Sequence, residues 1–132
     1  MTYLLDTHTM LWAISEPEKL SPKVAEIIET PEKRILVSVV SLWEVSLKYS
    51  IGKLSLDGFL PEELPEICEK MDFDVVALQP KICATFHQLA AKHHKDPFDR
   101  MLIWQAKNLG FPILSKDEMV AMYRSEGITV IW

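Results

Sequence analysis

The chain has 132 residues, 48% of them apolar and 25% charged, with a formal net charge of −5. That length suits one domain with a substantial buried core, in the ordinary composition range of globular proteins. The acidic balance excludes a broad nucleic-acid-coating surface, yet it is compatible with an acidic metal site beside a local basic patch that meets phosphate.

In chain order, TYLL at residues 2–5 reads as a buried strand ending at Asp6, with a helix directly behind it in THTMLWAI. The opening segment lacks a basic stretch and is interrupted by Asp6, so no signal peptide is expected. Pro17 and Pro22 punctuate the next stretch, and SPKVAEIIET predicts a helix with Ser21 as N-cap and Pro22 in the first turn. RILVSVV is a β-branched strand candidate. SLWEVSLKYSIGKL then turns helical, opening with the capping-box pattern Ser41-x-x-Glu44 and ending near Gly52. The longest apolar run, ILVSVVSLW, is too short to cross a bilayer.

PEELPEICEKM predicts a short helix and FDVVAL a strand. PKICATFHQLAAKHH predicts a helix with Ile82, Phe86, Leu89 and Ala90 on its apolar face. DPFDRMLIWQAKNLG is a further helix, with Asp96 at N-cap, Pro97 at the first position and Gly110 as stop. FPILS is a strand, DEMVAMYRSEG a helix closed by Gly127, and ITVIW a last strand. Cys68 and Cys83 sit in apolar helical contexts without CxxC spacing and are expected as reduced core thiols of a cytoplasmic protein.

Strands alternating with helices imply an α/β fold with a mostly parallel sheet, whose strand C-terminal ends share one rim. Ligands of such folds bind at that rim. Asp6 ends the first strand, Glu44 lies a turn past the second, Asp117 comes just after PILS, and Asp99 stands on the first turn of its helix. Each acid taken singly is explained as a helix cap, worth about 1 kcal/mol. Ser41-x-x-Glu44 and Ser115-x-x-Glu118 both fit capping boxes, and Asp6 fits as a cap of the first helix. Four acids converging would be different: each pair at ~4–6 Å repels by roughly 3–4 kcal/mol at an effective dielectric near 20. Such a cluster persists when acids are protonated or a cation sits among them. All-oxygen ligands suit Mg²⁺ or Mn²⁺, and the matching chemistry is phosphodiester hydrolysis with a metal-activated water.

YLLDTHTMLW, SLWEVSLKYSIGKL, DPFDRMLIWQA and PILSKD, in this order, resemble the PIN-domain ribonucleases, and within them the VapC-type toxins of toxin–antitoxin pairs. The resemblance runs from Thr2 to Trp132 and implies a single domain over 1–132, a three-layer α/β/α sandwich. It implies a Mg²⁺- or Mn²⁺-dependent endoribonuclease, a cognate antitoxin as protein partner, RNA as substrate and a homodimer. Residue by residue it implies catalytic and metal-binding roles for Asp6, Glu44, Asp99 and Asp117, with Thr7 directly after the first acid. Ser115 stands where the family more often has Thr, and Asp96 is favoured as N-cap over ligand.

Arg100, Lys48, Lys53, Lys95 and Lys116 flank the expected rim and are candidates for RNA phosphate, although a solvated face explains any one of them. His93 and His94, adjacent on an expected helix, lack the i, i+4 spacing of a metal pair. His8 is near enough to Asp6 to line the site, with a structural role as the alternative. Trp12, Trp43, Trp104 and Trp132 are expected in core or interface packing. A phosphatase of the haloacid dehalogenase type would need Asp-x-Asp where His8 stands, and a response-regulator receiver would need paired acids after the first strand. A non-catalytic α/β interaction module, its acids only capping helices, is the alternative of a different class.

Overall fold

A computed structural model describes residues 1–90 and 93–132. Five strands, β1 (Thr2–Leu5), β2 (Arg34–Ser38), β3 (Phe73–Val76), β4 (Ile113–Leu114) and β5 (Val130–Ile131), form one sheet in the order β3-β2-β1-β4-β5. Every pairing is parallel, with Leu5 beside Val37 on one flank and Leu114 on the other. Because parallel strands return by crossovers, both sheet faces are covered, and β1, β2 and β4 are almost continuously apolar.

One face is packed by α5 (Pro80–Thr85), α6 (Pro97–Leu109) and α7 (Glu118–Ala121), with Leu4, Leu36, Ile113 and Val130 meeting Ile82, Leu102, Ile103 and Val120. The other face is covered by α1 (Thr7–Ser15), α2 (Pro22–Glu29), α3 (Val39–Ser50) and α4 (Leu64–Lys70). There Tyr3, Leu5, Ile35 and Val37 meet Met10, Val24, Ile27, Val45 and Leu64. These are the three layers implied by the sequence. No helix among the described residues is long and apolar enough to cross a membrane.

Several local expectations change, among them the helix foreseen in DEMVAMYRSEG, which is α7 followed by a 3-10 stretch at Met122–Glu126. The helix foreseen over residues 80–94 is α5 plus a 3-10 turn at Phe86–Gln88, and Leu89 is extended. The Leu89 carbonyl accepts from Arg100 Nη2 at 3.2 Å, so it is engaged by another element instead of a helical turn. Ala90, expected on the apolar face, is exposed; residues 91 and 92 lie outside the described residues. The second strand stops at Ser38, whose Oγ accepts from Val40 N at 3.1 Å and starts α3 two residues before Ser41. Cys68 is buried as expected, whereas Cys83 is exposed, because α5 turns only its Ile82 side to the core.

The order of strands reverses at β1: β2 and β3 extend to one side, β4 and β5 to the other. The crevice at the C-terminal ends of β1 and β4 is therefore the switch point where open parallel sheets bind ligands. Asp6 comes directly after β1 there, and Ser115 and Asp117 come after β4.

Candidate active site

The residues after β1 build the floor. Asp6 is 4% exposed and caps α1, its Oδ1 accepting from Thr9 N at 2.9 Å. The Ser115 hydroxyl also donates to the Asp6 carboxylate, while Ser115 Oγ accepts from Asp117 N at 3.1 Å. Burial nevertheless dominates, and it raises the Asp6 pKa against the hydrogen bonds from Ser115 and Thr9.

Glu44, also 4% exposed, belongs to α3 and reaches the site from beside β2. The capping-box reading fails here. Ser38 is the N-cap, and Glu44 is turned away from it: its Oε1 lies 2.6 Å from Thr7 Oγ1, and its Oε2 is paired with Lys48 Nζ. Thr7 Oγ1 is also 2.9 Å from Ser41 Oγ. With a single hydrogen on each hydroxyl, Thr7 donates to the carboxylate and keeps a lone pair for Ser41. Thr7, itself in contact with Ser41, thus holds Glu44 across 37 residues of sequence.

The third side comes from α6. Asp96 Oδ1 accepts from Phe98 N at 2.9 Å and Asp99 N at 3.0 Å, so Asp96 is the N-cap the sequence predicts. The pKa of Asp99, one turn in, is pushed up to about 8. The largest cause is burial; the charges of Asp96, Asp6, Glu44 and Asp117 come next, in that order. Asp117, exposed at the rim, caps α7 through Oδ1 to Met119 N at 2.8 Å, so Ser115 is not the N-cap and Glu118 closes no capping box. Asp96 and Asp117 each use Oδ1 for the helix, which leaves Oδ2 for another partner. Capping and ligation are therefore compatible in one side chain.

Four carboxylates act on Asp99 here, and the Lys48 ammonium stands beside Glu44 with Asp96 and Asp99 near it. Burial lowers its pKa, but the hydrogen bond and charge of Glu44, with Asp96 and Asp99 beyond, raise it overall. An all-parallel sheet with acids gathered at its switch point is one mark of kinship, and the sequence carries another. The sequence profile of the PIN domain matches residues 3–125. The chain belongs to the PIN-domain family.

This PIN-domain chain is 25% identical over 131 residues to the ribonuclease VapC22 of Mycobacterium tuberculosis (strain ATCC 25618 / H37Rv), covering 99% of this chain and 98% of that one. In fold it is similar to a chain of VapBC2 from Rickettsia felis, solved bound to a DNA fragment from their promoter. There the TM-score is 0.68 at 14% identity, over 98% of this chain and 97% of that chain. A chain of DNA-bound VapBC from Salmonella typhimurium also gives a TM-score of 0.68, at 19% identity over 98% of this chain and 96% of that chain. Within this PIN fold the acids lie where β1, α3, α6 and the β4–α7 junction converge.

Among the described residues no three His, Cys, Asp or Glu side chains form a ready-made metal cage. Mg²⁺ does not require one: it keeps several waters and takes one or two carboxylates together with substrate phosphate. The donor set fits such an ion. It is all oxygen, and burial together with the charges of the neighbouring acids pushes Asp99 toward protonation.

Beside Asp6 and Asp117 opens a cleft of about 300 Å³, walled by His8, Trp12 and Lys116. Trp12 was expected in packing alone. It does meet Trp132 edge-on at 5.8 Å, yet it also faces the cleft, with Lys116 Nζ 5.9 Å from its ring. Trp104 is buried and donates Nε1–H to Ile82 O at 3.0 Å. Trp43 is 62% exposed, edge-on to Phe98 at 5.2 Å, so it is no core residue.

Arg100 as an RNA contact is corrected. It is 9% exposed, and its Nη1 donates to Tyr123 Oη at 2.6 Å while Nη2 holds Leu89 O. Its position next to Asp99 on α6 turns it into the core, away from phosphate. Lys48 is inside the acid cluster and Lys116 at the cleft, whereas Lys53 and Lys95 are exposed. Sequence reasoning set His94 aside, yet its Nε2 lies 3.5 Å from Asp99 Oδ2. The signal was available only as its position five residues before that acid, which says nothing about direction.

Proposed function

We propose that residues 1–132 act as one PIN-domain endoribonuclease, the toxin of a toxin–antitoxin pair, hydrolysing phosphodiester bonds of RNA in the cytoplasm. The observation that carries this reading is Asp99, its pKa raised to about 8 first by burial and then by the charges of Asp96, Asp6, Glu44 and Asp117, a burden of negative charge that a bound cation would offset. Family membership and the similarity to a ribonuclease over nearly the whole chain support it.

Asp6, Asp99 and Asp117, with Glu44, are the residues that would hold Mg²⁺ or Mn²⁺. Such an ion, when bound, offsets the charge of the carboxylates and the scissile phosphate and makes water more acidic. The remaining work belongs to the chain. Glu44 has both oxygens engaged, by Thr7 and Lys48, which suits an electrostatic and orienting part. The proton of the attacking water therefore goes to an aspartate whose second oxygen is open, and Asp117 at the exposed rim offers one. Single-stranded or loop RNA fits the cleft, with a base against Trp12 and His8 and a phosphate near Lys116.

The relatives solved as VapBC support an antitoxin as the protein partner, and a homodimer is expected from the same family. The decisive experiment compares RNA cleavage by the purified protein and Asp6→Asn with Mg²⁺, Mn²⁺ or EDTA. Cleavage by the parent with metal, lost in Asp6→Asn at unchanged circular dichroism, is expected. Equal activity in both proteins refutes the mechanism.

A further inference from the structure

Behind the acid cluster is a buried polar atom that the proposed site does not use. His94 Nε2 is shielded from solvent and has no hydrogen-bond partner among the described residues, although Asp99 Oδ2 is 3.5 Å away. Its other ring nitrogen, Nδ1, is 3.2 Å from Tyr123 Oη. That phenol is itself fully buried and receives the Nη1–H of Arg100 at 2.6 Å.

The direction of this chain of contacts comes from what each group can do. A guanidinium only donates, so Tyr123 Oη accepts from Arg100 and has its own hydrogen left to give. The neighbour in reach of that hydrogen is His94 Nδ1, which in the neutral ring must then be the acceptor. The ring hydrogen is accordingly on Nε2, the atom facing Asp99. At 3.5 Å the two atoms stand just outside hydrogen-bond length.

We infer that His94 is a positioning residue for Asp99: Arg100 and Tyr123 fix its tautomer, and its Nε2–H orients the Asp99 carboxylate toward the cation that the acid cluster would hold. This rests on the metal-dependent reading above. It also explains the burial of Arg100, which anchors the relay by holding Leu89 O with Nη2 and Tyr123 with Nη1. Carboxylate ligands held by such outer hydrogen bonds typically lose 10–100-fold in metal affinity when the partner is removed.

Two measurements test it. In metal-free protein at about pH 9.5, above the value of about 8 for Asp99 and where an ordinary imidazole is neutral, long-range proton–nitrogen NMR correlations should show His94 with its hydrogen on Nε2. The Nδ1–H form overturns the inference. Mn²⁺ titration of folded parent and variants is the second. His94→Ala should bind at least about tenfold more weakly and lose kcat with little change in KM for RNA. His94→Gln, whose amide nitrogen can stand near the position of Nε2, should recover most of the affinity, and His94→Asn should not. Parent-like Mn²⁺ affinity in His94→Ala, or equal behaviour of the Gln and Asn variants, overturns the inference and leaves the metal reading standing. A parent protein that takes up no Mn²⁺ overturns both.

Discussion

Replacing Asp99 by Asn should make the metal-free protein more stable at alkaline pH, by an amount set by the surroundings of the carboxyl. The side chain is 17% exposed, and its pKa is raised to about 8 from an ordinary 3.8, first by burial and then by Asp96, Asp6, Glu44 and Asp117. The folded state therefore holds the proton more tightly than the unfolded state. Stability from this source is complete below the unfolded value and is lost as pH rises through about 8. At 1.36 kcal/mol per unit, the span from pH 5 to 8 corresponds to about 4 kcal/mol. Counter-ions and proton uptake by neighbouring acids answer part of it, leaving about 2–4 kcal/mol, or roughly 5–15 °C in Tm for a chain of this size. Melts in EDTA at pH 5, 6.5 and 8 should fall for the parent and fall clearly less for Asp99→Asn, in which only the raised carboxyl of Asp6 remains. Millimolar Mn²⁺ should restore the parent at pH 8 and leave the variant unmoved. A parent melting point that is flat over this range and indifferent to Mn²⁺ would refute the reasoning, as would an Asn variant less stable than the parent at pH 8.

Single contacts give the other predictions. Thr7→Val leaves buried Ser41 and Glu44 without the shared hydroxyl and should cost about 1–3 kcal/mol in urea unfolding. Trp12→Ala should raise KM for single-stranded RNA severalfold with kcat nearly unchanged, since the ring lines the cleft without touching the acids' hydrogen bonds. Lys116→Ala should lower the salt dependence of RNA binding by about one ion, whereas Arg100→Ala should lower Tm without altering that slope, because Arg100 points into the core. Cys83 should react with a thiol reagent in the native protein and Cys68 only after unfolding.

Much of this arrangement is carried by local chemistry that the sequence displays. Five apolar runs became five strands, because both faces of a parallel sheet are covered and such strands need no alternation. Asp6 and Asp96 cap helices as their spacing from the first turn predicts, and the Asp96-Pro97 pair starts α6 so that Asp99 falls one turn inside it. The acids' common rim was also legible in the strand order along the chain, since parallel strands end on the same side.

What the tertiary structure alone decided is direction. Ser41-x-x-Glu44 has the spacing of a capping box, but the strand gives way to α3 at Ser38, and Glu44 turns to Thr7 and Lys48 instead. Arg100 looks like a phosphate contact in a string of letters, yet it is held inward by the phenol of Tyr123, 23 residues away, and by the Leu89 carbonyl. The helix expected through His94 ends early for the same reason: the Leu89 carbonyl finds its donor on α6. Local patterns record periodicity and capping within about one turn. The hydrogen bonds that turn Glu44 and Arg100 toward their partners close over 11 to 37 residues, and no local pattern carries their geometry.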